Sequence, residues 1–216
     1  MPAEYYDKVL YPIQDKVIKF FKDTPFYLSG GTALSRGYYN HRYSDDLDYF
    51  VNDHPDFLRI AERQINKLGA TYKDLSVVAR YTNFLRVFVS PERLKIEIIN
   101  DVPSHIGSFV DHAIIGVIDS RENILANKIT ALIDRSLPKD IVDIYFLLKD
   151  GLDIKRALVD AESKAAGIAP LLVAKILFDY DYSTLDTEIK WIKPVDSLTI
   201  KGFLSDISEK IVQGRL

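Results

Sequence analysis

The residues best suited to chemistry are two aspartates at the start of a predicted strand. Asp46 and Asp48 flank Leu47 and lead into an apolar run that ends at Val51. Because side chains alternate along a strand, both carboxylates are predicted to share one face, with α-carbons roughly 6.6 Å apart. Two such charges repel by about 2–3 kcal/mol at an effective dielectric of about 20. A hard cation such as magnesium would turn that repulsion into binding; the alternative is a solvent-facing edge strand.

A third acid stands in another β-favouring run. Glu97 lies within Leu94–Ile99, where Ile96 and Ile98 are predicted on one face, with Lys95, Glu97 and Ile99 on the other. If the two strands are neighbours, Asp46, Asp48 and Glu97 could together hold two magnesium ions.

A glycine pair precedes the acids and could approach a phosphate. Gly30 and Gly31 follow a short β-favouring run, and Thr32 is predicted to begin a helix whose N-terminal amides attract anions. Arg42 and Ser44 are candidate phosphate donors, or else parts of a solvated loop. Phosphoryl and nucleotidyl transfer need metals, in-line geometry and donors that hold a triphosphate, and this set could supply them.

Hydrophobic periodicity predicts the elements that must position these residues. Helices are predicted over Tyr5–Phe21, over 33–39 and from Asn52–Pro55 to an end at Gly69. Strands are predicted over Leu75–Tyr81, Phe84–Val89 and Leu94–Ile99, with turns at Thr82-Asn83 and Ser90-Pro91-Glu92.

The chain becomes helical after residue 119. Ser120 is predicted to cap a helix, Pro138 to begin another that Gly151 ends, and amphipathic stretches follow at 154–166, 169–178 and 198–212. We therefore predict an α+β fold, with a mixed sheet and flanking helices in residues 1–118 and a helical bundle in residues 119–216. The change of period near residues 102–119 marks the predicted boundary.

Composition narrows the classes of partner and site. The net charge of −3 gives no global basic field, so a nucleic acid would need a local patch. The absence of cysteine excludes disulfides and thiolate metal sites. With no cysteine and only four histidines, we do not expect a zinc site. The sequence shows no signal pattern and no apolar run of membrane-spanning length, which predicts a cytoplasmic protein.

Two blocks of sequence resemble a known family. The first is Gly30-Gly31-Thr32-Ala33-Leu34 followed by His41-Arg42-x-Ser44-x-Asp46-Leu47-Asp48, and the second runs from Asn127 to Arg135 and from Lys139 to Asp143. Together they resemble the AbiEii/AbiGii toxin family of nucleotidyltransferases, in the DNA polymerase β-like superfamily. The resemblance covers roughly residues 26–150.

The resemblance implies a nucleoside triphosphate donor and magnesium. Asp46 and Asp48 would be metal ligands, with Glu97 as third acid, although this acid is often Asp in the family. Lys128 would contact the triphosphate, and Asp140 or Asp143 would take the essential acid position of the helical block. The resemblance further implies that the protein is the toxin of a toxin–antitoxin or phage-defence pair and has a cognate antitoxin. The toxin would add nucleotides to the 3′ end of tRNA.

Ordinary structural roles remain open for the second block. Lys128 could lay its stem along a helix edge, and Asp140 suits the first turn of a helix in any case. Asp143 could form a surface ion pair with Lys139. Arg135 could bind phosphate or pair with Asp134 or Asp140.

Other functions use the same residues. The acceptor could be a small molecule of the antibiotic type or a protein hydroxyl, and a non-catalytic nucleotide-binding module is a third reading. A basic stripe on the helical half would favour tRNA; its members would be Lys128, Arg135, Lys139, Lys149, Lys155 and Arg156.

Overall fold

A computed structural model describes residues 2–89 and 94–215. Contacts divide the chain into two compact units, one formed by residues up to Tyr38 with Tyr43–Asp119, the other by Tyr39–Arg42 with Ser120–Leu216. The division at 118/119 stays our proposal for the domain boundary. The turn predicted at Ser90-Pro91-Glu92 lies outside the described residues.

The first unit contains a mixed sheet, as predicted. Its strands are β1 Tyr27–Ser29, β2 Leu47–Asn52, β3 Ser76–Tyr81, β4 Phe84–Val89, β5 Leu94–Asp101, β6 Val110–His112 and β7 Gly116–Ile118. In the described chain they form one sheet of seven in the order β3-β4-β5-β2-β1-β7-β6. Strand β2 is antiparallel to β1 and parallel to β5, so it lies inside the sheet.

Helical segments of this unit precede and interrupt the sheet. They are α1 Pro2–Tyr5, a π-helical segment π1 Tyr6–Leu10, α2 Tyr11–Phe21, α3 Gly30–Thr32, a second π-helical segment π2 Ala33–Tyr39 and α4 Phe57–Thr71. Burial alternates along β2, with Leu47, Tyr49 and Val51 buried, which is the pattern of a strand with one face in the core. The ring of Phe21 on α2 stacks on Tyr49, with centroids 3.9 Å apart.

Several features of this unit differ from the sequence prediction. The helix start predicted at Asn52–Pro55 is wrong, because Asn52 is the last residue of β2 and helix α4 begins at Phe57. Helix α4 passes through Gly69 and ends at Thr71, so the predicted end at Gly69 is wrong. A β-carbon at Gly69 would meet nothing within 4 Å, which shows that this glycine is not required by a close approach. The hairpin of β6 and β7 was not predicted, because strands of three residues are too short to show a period.

The second unit is a helical bundle, as predicted. Its helices are α5 Arg121–Asp134, α6 Pro138–Lys149, α7 Ile154–Glu162, α8 Pro170–Asp179, α9 Thr184–Glu188 and α10 Ser197–Val212. Helix α5 packs against α6, α7 and α8, and α10 packs against α8 and α6. The Ser120 hydroxyl accepts the Asn123 amide at 3.0 Å, which confirms the predicted cap. Helix α9 was not predicted, because it spans only five residues.

A short segment from early in the chain belongs to this bundle. The carbonyl of His41 accepts hydrogen bonds from the amides of Ile192 and Lys193 at 3.0 and 2.9 Å. Arg42 forms an isolated antiparallel bridge with Trp191. Over the described residues, we find no helix long and apolar enough to cross a membrane.

Candidate active site

The sheet brings the three predicted acids together. In the strand register Asp48 lies opposite Glu97 on β5 and opposite Ser29 on β1, so these side chains share one face. Asp46 immediately precedes β2, two residues before Asp48. Since β2 is an interior strand, the alternative of an edge strand is wrong. The neighbouring position of β2 and β5, which the two-metal hypothesis required, is confirmed.

A lysine that sequence reasoning did not single out bridges two of these acids. The Lys95 ammonium lies 3.0 Å from Asp46 Oδ2 and 3.2 Å from Glu97 Oε2. Burial lowers the pKa of Lys95, but the charges of Asp46 and Asp48 outweigh burial and raise the pKa above its usual value. Lys95 is therefore a cation within the carboxylates. Its position two residues before Glu97, on the same strand face, was the available signal.

Glu97 has a second basic partner on the neighbouring strand. Arg86 on β4 is the cross-strand partner of Glu97 and donates Nε and a terminal nitrogen to Glu97 Oε1 at 2.6 and 2.5 Å. Burial raises the pKa of Glu97, but Lys95 and Arg86 outweigh it and bring the pKa below its usual value. Arg86 was missed because its proximity to Glu97 depends on strand pairing across eleven residues.

The acids suit a cation in charge and chemistry. Magnesium is usually held by one or two carboxylates together with substrate phosphates, and Asp46 and Asp48 supply two. The Lys95 ammonium between Asp46 and Glu97 shows that this face accommodates positive charge. Among the residues that the structure describes, no three His, Asp or Glu side chains are already arranged around one point as metal ligands.

Gly30 lies directly against Asp48. Its φ of +67° is in the left-handed region, and a β-carbon there would stand 2.6 Å from Asp48 Oδ2. The backbone conformation therefore favours glycine, and any larger residue would also force the Asp48 carboxylate to shift. The pairing of Ser29 with Asp48 explains this approach, since Gly30 is the residue after the paired position.

The loop before the acids is anchored by Thr32 and the first helices. The Thr32 hydroxyl donates to the Asp46 carbonyl and lies 2.8 Å from the Ser44 hydroxyl. The Gln14 amide donates to the carbonyls of Ser44 and Asp45 at 3.1 and 3.2 Å. Ser44 is buried, so the alternative of a solvated loop is wrong for this residue.

Asp119 lies beside Ser29, on the side of β1 away from Asp48. It is buried, accepts the Ser29 hydroxyl at 2.5 Å and lies 3.0 Å from His105 Nε2. Strand β7 pairs Ile118 with Leu28, which places Asp119 beside Ser29. Sequence reasoning assigned Asp119 only to the start of the helical half, because its place depends on the unpredicted strand β7.

The helical unit holds its own charged cluster, centred on Asp143. This carboxylate is fully buried and is bound by Arg42 at 2.8 and 2.7 Å, by His41 Nε2 at 2.9 Å and by Lys128 Nζ at 2.6 Å. The surface ion pair with Lys139 is therefore the wrong alternative. Burial raises the pKa of Asp143, but the charges of Arg42 and Lys128 outweigh it and hold the pKa well below its usual value.

Asp140 is the second buried acid of this cluster. It lies in the first turn of α6 and accepts Lys128 Nζ at 2.8 Å and Arg135 Nε at 3.0 Å. Burial raises the pKa of Asp140, but Lys128 and Arg135 outweigh it, so the pKa is lowered. Lys128 is buried between two carboxylates, so its placement along a helix edge is wrong. Arg135 pairs with Asp140, one of its predicted partners.

Comparison with known families decides the class of the protein. The family of the nucleotidyl transferase AbiEii toxin, a type IV toxin–antitoxin system, matches residues 14–212. This chain belongs to the AbiEii family. An uncharacterized protein of Aquifex aeolicus (strain VF5) is 27% identical over 172 residues, which cover 77% of this chain and 79% of that protein.

Solved structures share the fold of this AbiEii protein. JHP933 from Helicobacter pylori is 22% identical, with a TM-score of 0.60 over 95% of this chain and 91% of the other. The nucleotidyltransferase toxin MenT4 of Mycobacterium tuberculosis H37Rv is 16% identical, with a TM-score of 0.54 over 97% of this chain and 85% of the other. The protein is a nucleotidyltransferase toxin with an α+β fold, which confirms the predicted family, enzyme class and fold.

Proposed function

We propose that this toxin transfers a nucleoside monophosphate from a nucleoside triphosphate to the 3′ end of tRNA, with Mg²⁺ held by Asp46 and Asp48. The observation that carries the metal site is the pairing of β2 with β5, which places Asp48 opposite Glu97 and brings Asp46 and Glu97 to the same cation, Lys95. Bound magnesium, two ions in the full form of the proposal, would neutralise the triphosphate oxygens during transfer.

The candidate site residues of the first unit have proposed roles in metal and phosphate binding. Asp46 and Asp48 hold the metal, and Glu97, fixed by Arg86, is the third acid. Gly30 and Gly31 would let the backbone approach the phosphates, because neither residue carries a side chain. Thr32 and Ser44 keep the loop before Asp46 in place through their hydroxyls. The proposed donors to phosphate oxygens are the Thr32 backbone amide and the Ser44 hydroxyl.

The helical unit supplies the proposed triphosphate contact. Lys128 would contact the triphosphate, and Asp140 and Asp143 orient its ammonium through their hydrogen bonds. Arg42 binds Asp143 and Arg135 binds Asp140, so each arginine positions one of the two acids. Both arginines are also proposed to bind phosphate.

The tRNA acceptor is supported by the family resemblance rather than by surface charge. Of the six residues in the suggested basic stripe, Lys128, Arg135 and Arg156 pair with Asp140, Asp143 or Asp160. Their charge is therefore largely matched by carboxylates of the same unit. The proposal also includes a cognate antitoxin, a role in phage defence and a cytoplasmic location.

A labelling assay tests the reaction and its acceptor. The protein would be incubated with Mg²⁺ and each α-labelled triphosphate, together with total tRNA, total protein or an aminoglycoside. We expect label at the 3′ end of tRNA with one preferred nucleotide, and none after chelation of the metal. Label on protein or on the aminoglycoside alone would replace the tRNA proposal with that acceptor.

The substitution Asp46→Asn tests the metal ligand. We expect it to abolish transfer while the melting temperature stays close to that of the unchanged protein, because Asp46 is half-buried and precedes β2. The matched control is Asp45→Asn, which removes the same charge one residue earlier and leaves an amide oxygen to accept the Tyr6 hydroxyl. Full transfer by Asp46→Asn would exclude Asp46 as a metal ligand.

A further inference from the structure

Lys95 places a positive charge among the acids of the proposed metal site. Its ammonium contacts Asp46 at 3.0 Å and Glu97 at 3.2 Å, and Asp48 also contributes to its electrostatic surroundings. With Arg86, the face carries three carboxylates and two basic side chains. Arg86 is bonded to Glu97, whereas Lys95 also contacts Asp46, which we propose as a metal ligand.

We propose that Lys95 is an internal counter-ion that neutralises the metal-binding acids until the metal arrives and thereby sets the metal affinity of the site. The inference rests on the proposed metal site at Asp46 and Asp48. A metal ion bound to Asp46 would lie close to the Lys95 ammonium, and the two positive charges would repel. Lys95 therefore leaves Asp46 when the metal binds, and breaking this ion pair weakens metal binding.

The local structure allows this exchange without moving the sheet. The Lys95 side chain keeps 25% of its surface exposed, so the ammonium has a path to solvent. A lysine ammonium is a point charge on a flexible four-carbon stem, so it can swing while its backbone stays fixed. The strand itself is held on both sides, by pairing of β5 with β2 and with β4.

Metal affinity measured directly tests the proposal. The probe is Mn²⁺, whose free form is counted by electron paramagnetic resonance while the protein is titrated. Lys95→Met keeps an unbranched side chain that is one atom shorter and removes the charge, so we expect it to bind Mn²⁺ roughly tenfold or more tightly than the unchanged protein. Lys95→Arg keeps the charge and should bind within about threefold of the unchanged protein.

Arg86→Met is the matched control for net charge. It removes one positive charge from the same face but leaves the contact between Lys95 and Asp46. We expect a clearly smaller gain in Mn²⁺ affinity than for Lys95→Met. Equal gains for both variants would show a general effect of charge on this face and would overturn the specific role of Lys95.

Thermal unfolding separates this role from a purely structural ion pair. Without metal, Lys95→Met should melt at a lower temperature than the unchanged protein, because its carboxylates repel. Added Mn²⁺ should raise its melting temperature by more than it raises that of the unchanged protein. An equal or smaller rise, together with unchanged or weaker Mn²⁺ affinity, would show that Lys95 only stabilises the fold.

The outcomes distinguish this inference from the proposed function. Adding Asp46→Asn to Lys95→Met should remove the gain in Mn²⁺ affinity, which places the metal at Asp46. If transfer to tRNA fails while Lys95→Met still binds Mn²⁺ more tightly, the acceptor is wrong and the role of Lys95 stands. If transfer requires metal and the affinity of Lys95→Met is unchanged, the role of Lys95 is wrong.

Discussion

At the scale of single residues, Gly30 makes the strictest demand on sequence. Its φ of +67° and the distance of only 2.6 Å that would separate an added β-carbon from Asp48 Oδ2 act together. The close contact with Asp48 comes from the neighbouring strand β2 and not from the local turn. Gly30 is therefore more than a turn residue, since it lies against a proposed metal ligand.

Replacing Gly30 by alanine should harm both stability and transfer. A left-handed backbone costs about 1–2 kcal/mol for a residue with a β-carbon, and the contact with Asp48 adds to that cost. We expect a lower free energy of unfolding in urea and strongly reduced transfer, since Asp48 must shift. The control is Gly69→Ala in α4, where the β-carbon meets nothing and helix propensity should stabilise by about 0.5–1 kcal/mol. Unchanged stability of Gly30→Ala would contradict the geometry.

At the scale of elements, caps and strand pairing position the candidate residues. Helix α5, which carries Lys128, begins with the Ser120 cap, and β5 presents Lys95 and Glu97 because both its neighbours pair in register. The helix start could be recognised from Ser120 and the apolar spacing that follows it. The strand partners could not, since pairing is decided between segments far apart in sequence.

The cap of α5 gives a testable contribution. Ser120→Ala removes the acceptor of the Asn123 amide, so we expect a loss of about 1 kcal/mol in the free energy of unfolding, measured in urea. Ser120→Asp retains an acceptor and should lose less. For comparison, Asp153→Ala removes the cap of α7, where Asp153 accepts the Arg156 amide at 2.9 Å. A Ser120→Ala protein as stable as the original would exclude a role for this cap.

At the scale of the whole molecule, the chain contributes an early segment to its helical unit. Tyr39–Arg42 belongs to the same unit as Ser120–Leu216, and Asp143 is one of the residues that connect them, since it binds both His41 and Arg42. These two residues lie 102 and 101 positions before Asp143 in the chain. The helical unit therefore depends on a segment that precedes the acidic strand.

Asp143→Asn should destabilise the protein in a pH-dependent way. The substitution leaves Arg42 and Lys128 buried with one carboxylate fewer, for which we expect a cost of about 3–5 kcal/mol at neutral pH. The pKa of Asp143 is depressed on folding, so its stabilisation is full above its unfolded pKa, about 4, and is lost as the pH falls below that value.

Urea unfolding from pH 7 down to pH 2 measures this effect. The difference between the unchanged protein and Asp143→Asn should be largest at neutral pH and shrink below about pH 4, where Asp143 would take up a proton on unfolding. Exposed Asp56→Asn is the control, because its ion pair with Arg59 is at the surface and should contribute little. A difference that stays constant with pH would exclude the charge of Asp143 as its cause.

Local patterns along the chain were enough to predict the order of the longer helices and strands and the cap at Ser120. These features follow from local period and local hydrogen bonds, and the two motif blocks also identified the family. The folded structure was needed to show that Lys95 and Arg86 form ion pairs with the acids, that Asp119 accepts the Ser29 hydroxyl and that Asp143 is buried. Those contacts arise from strand register and from helices that meet across long separations, which no local pattern encodes.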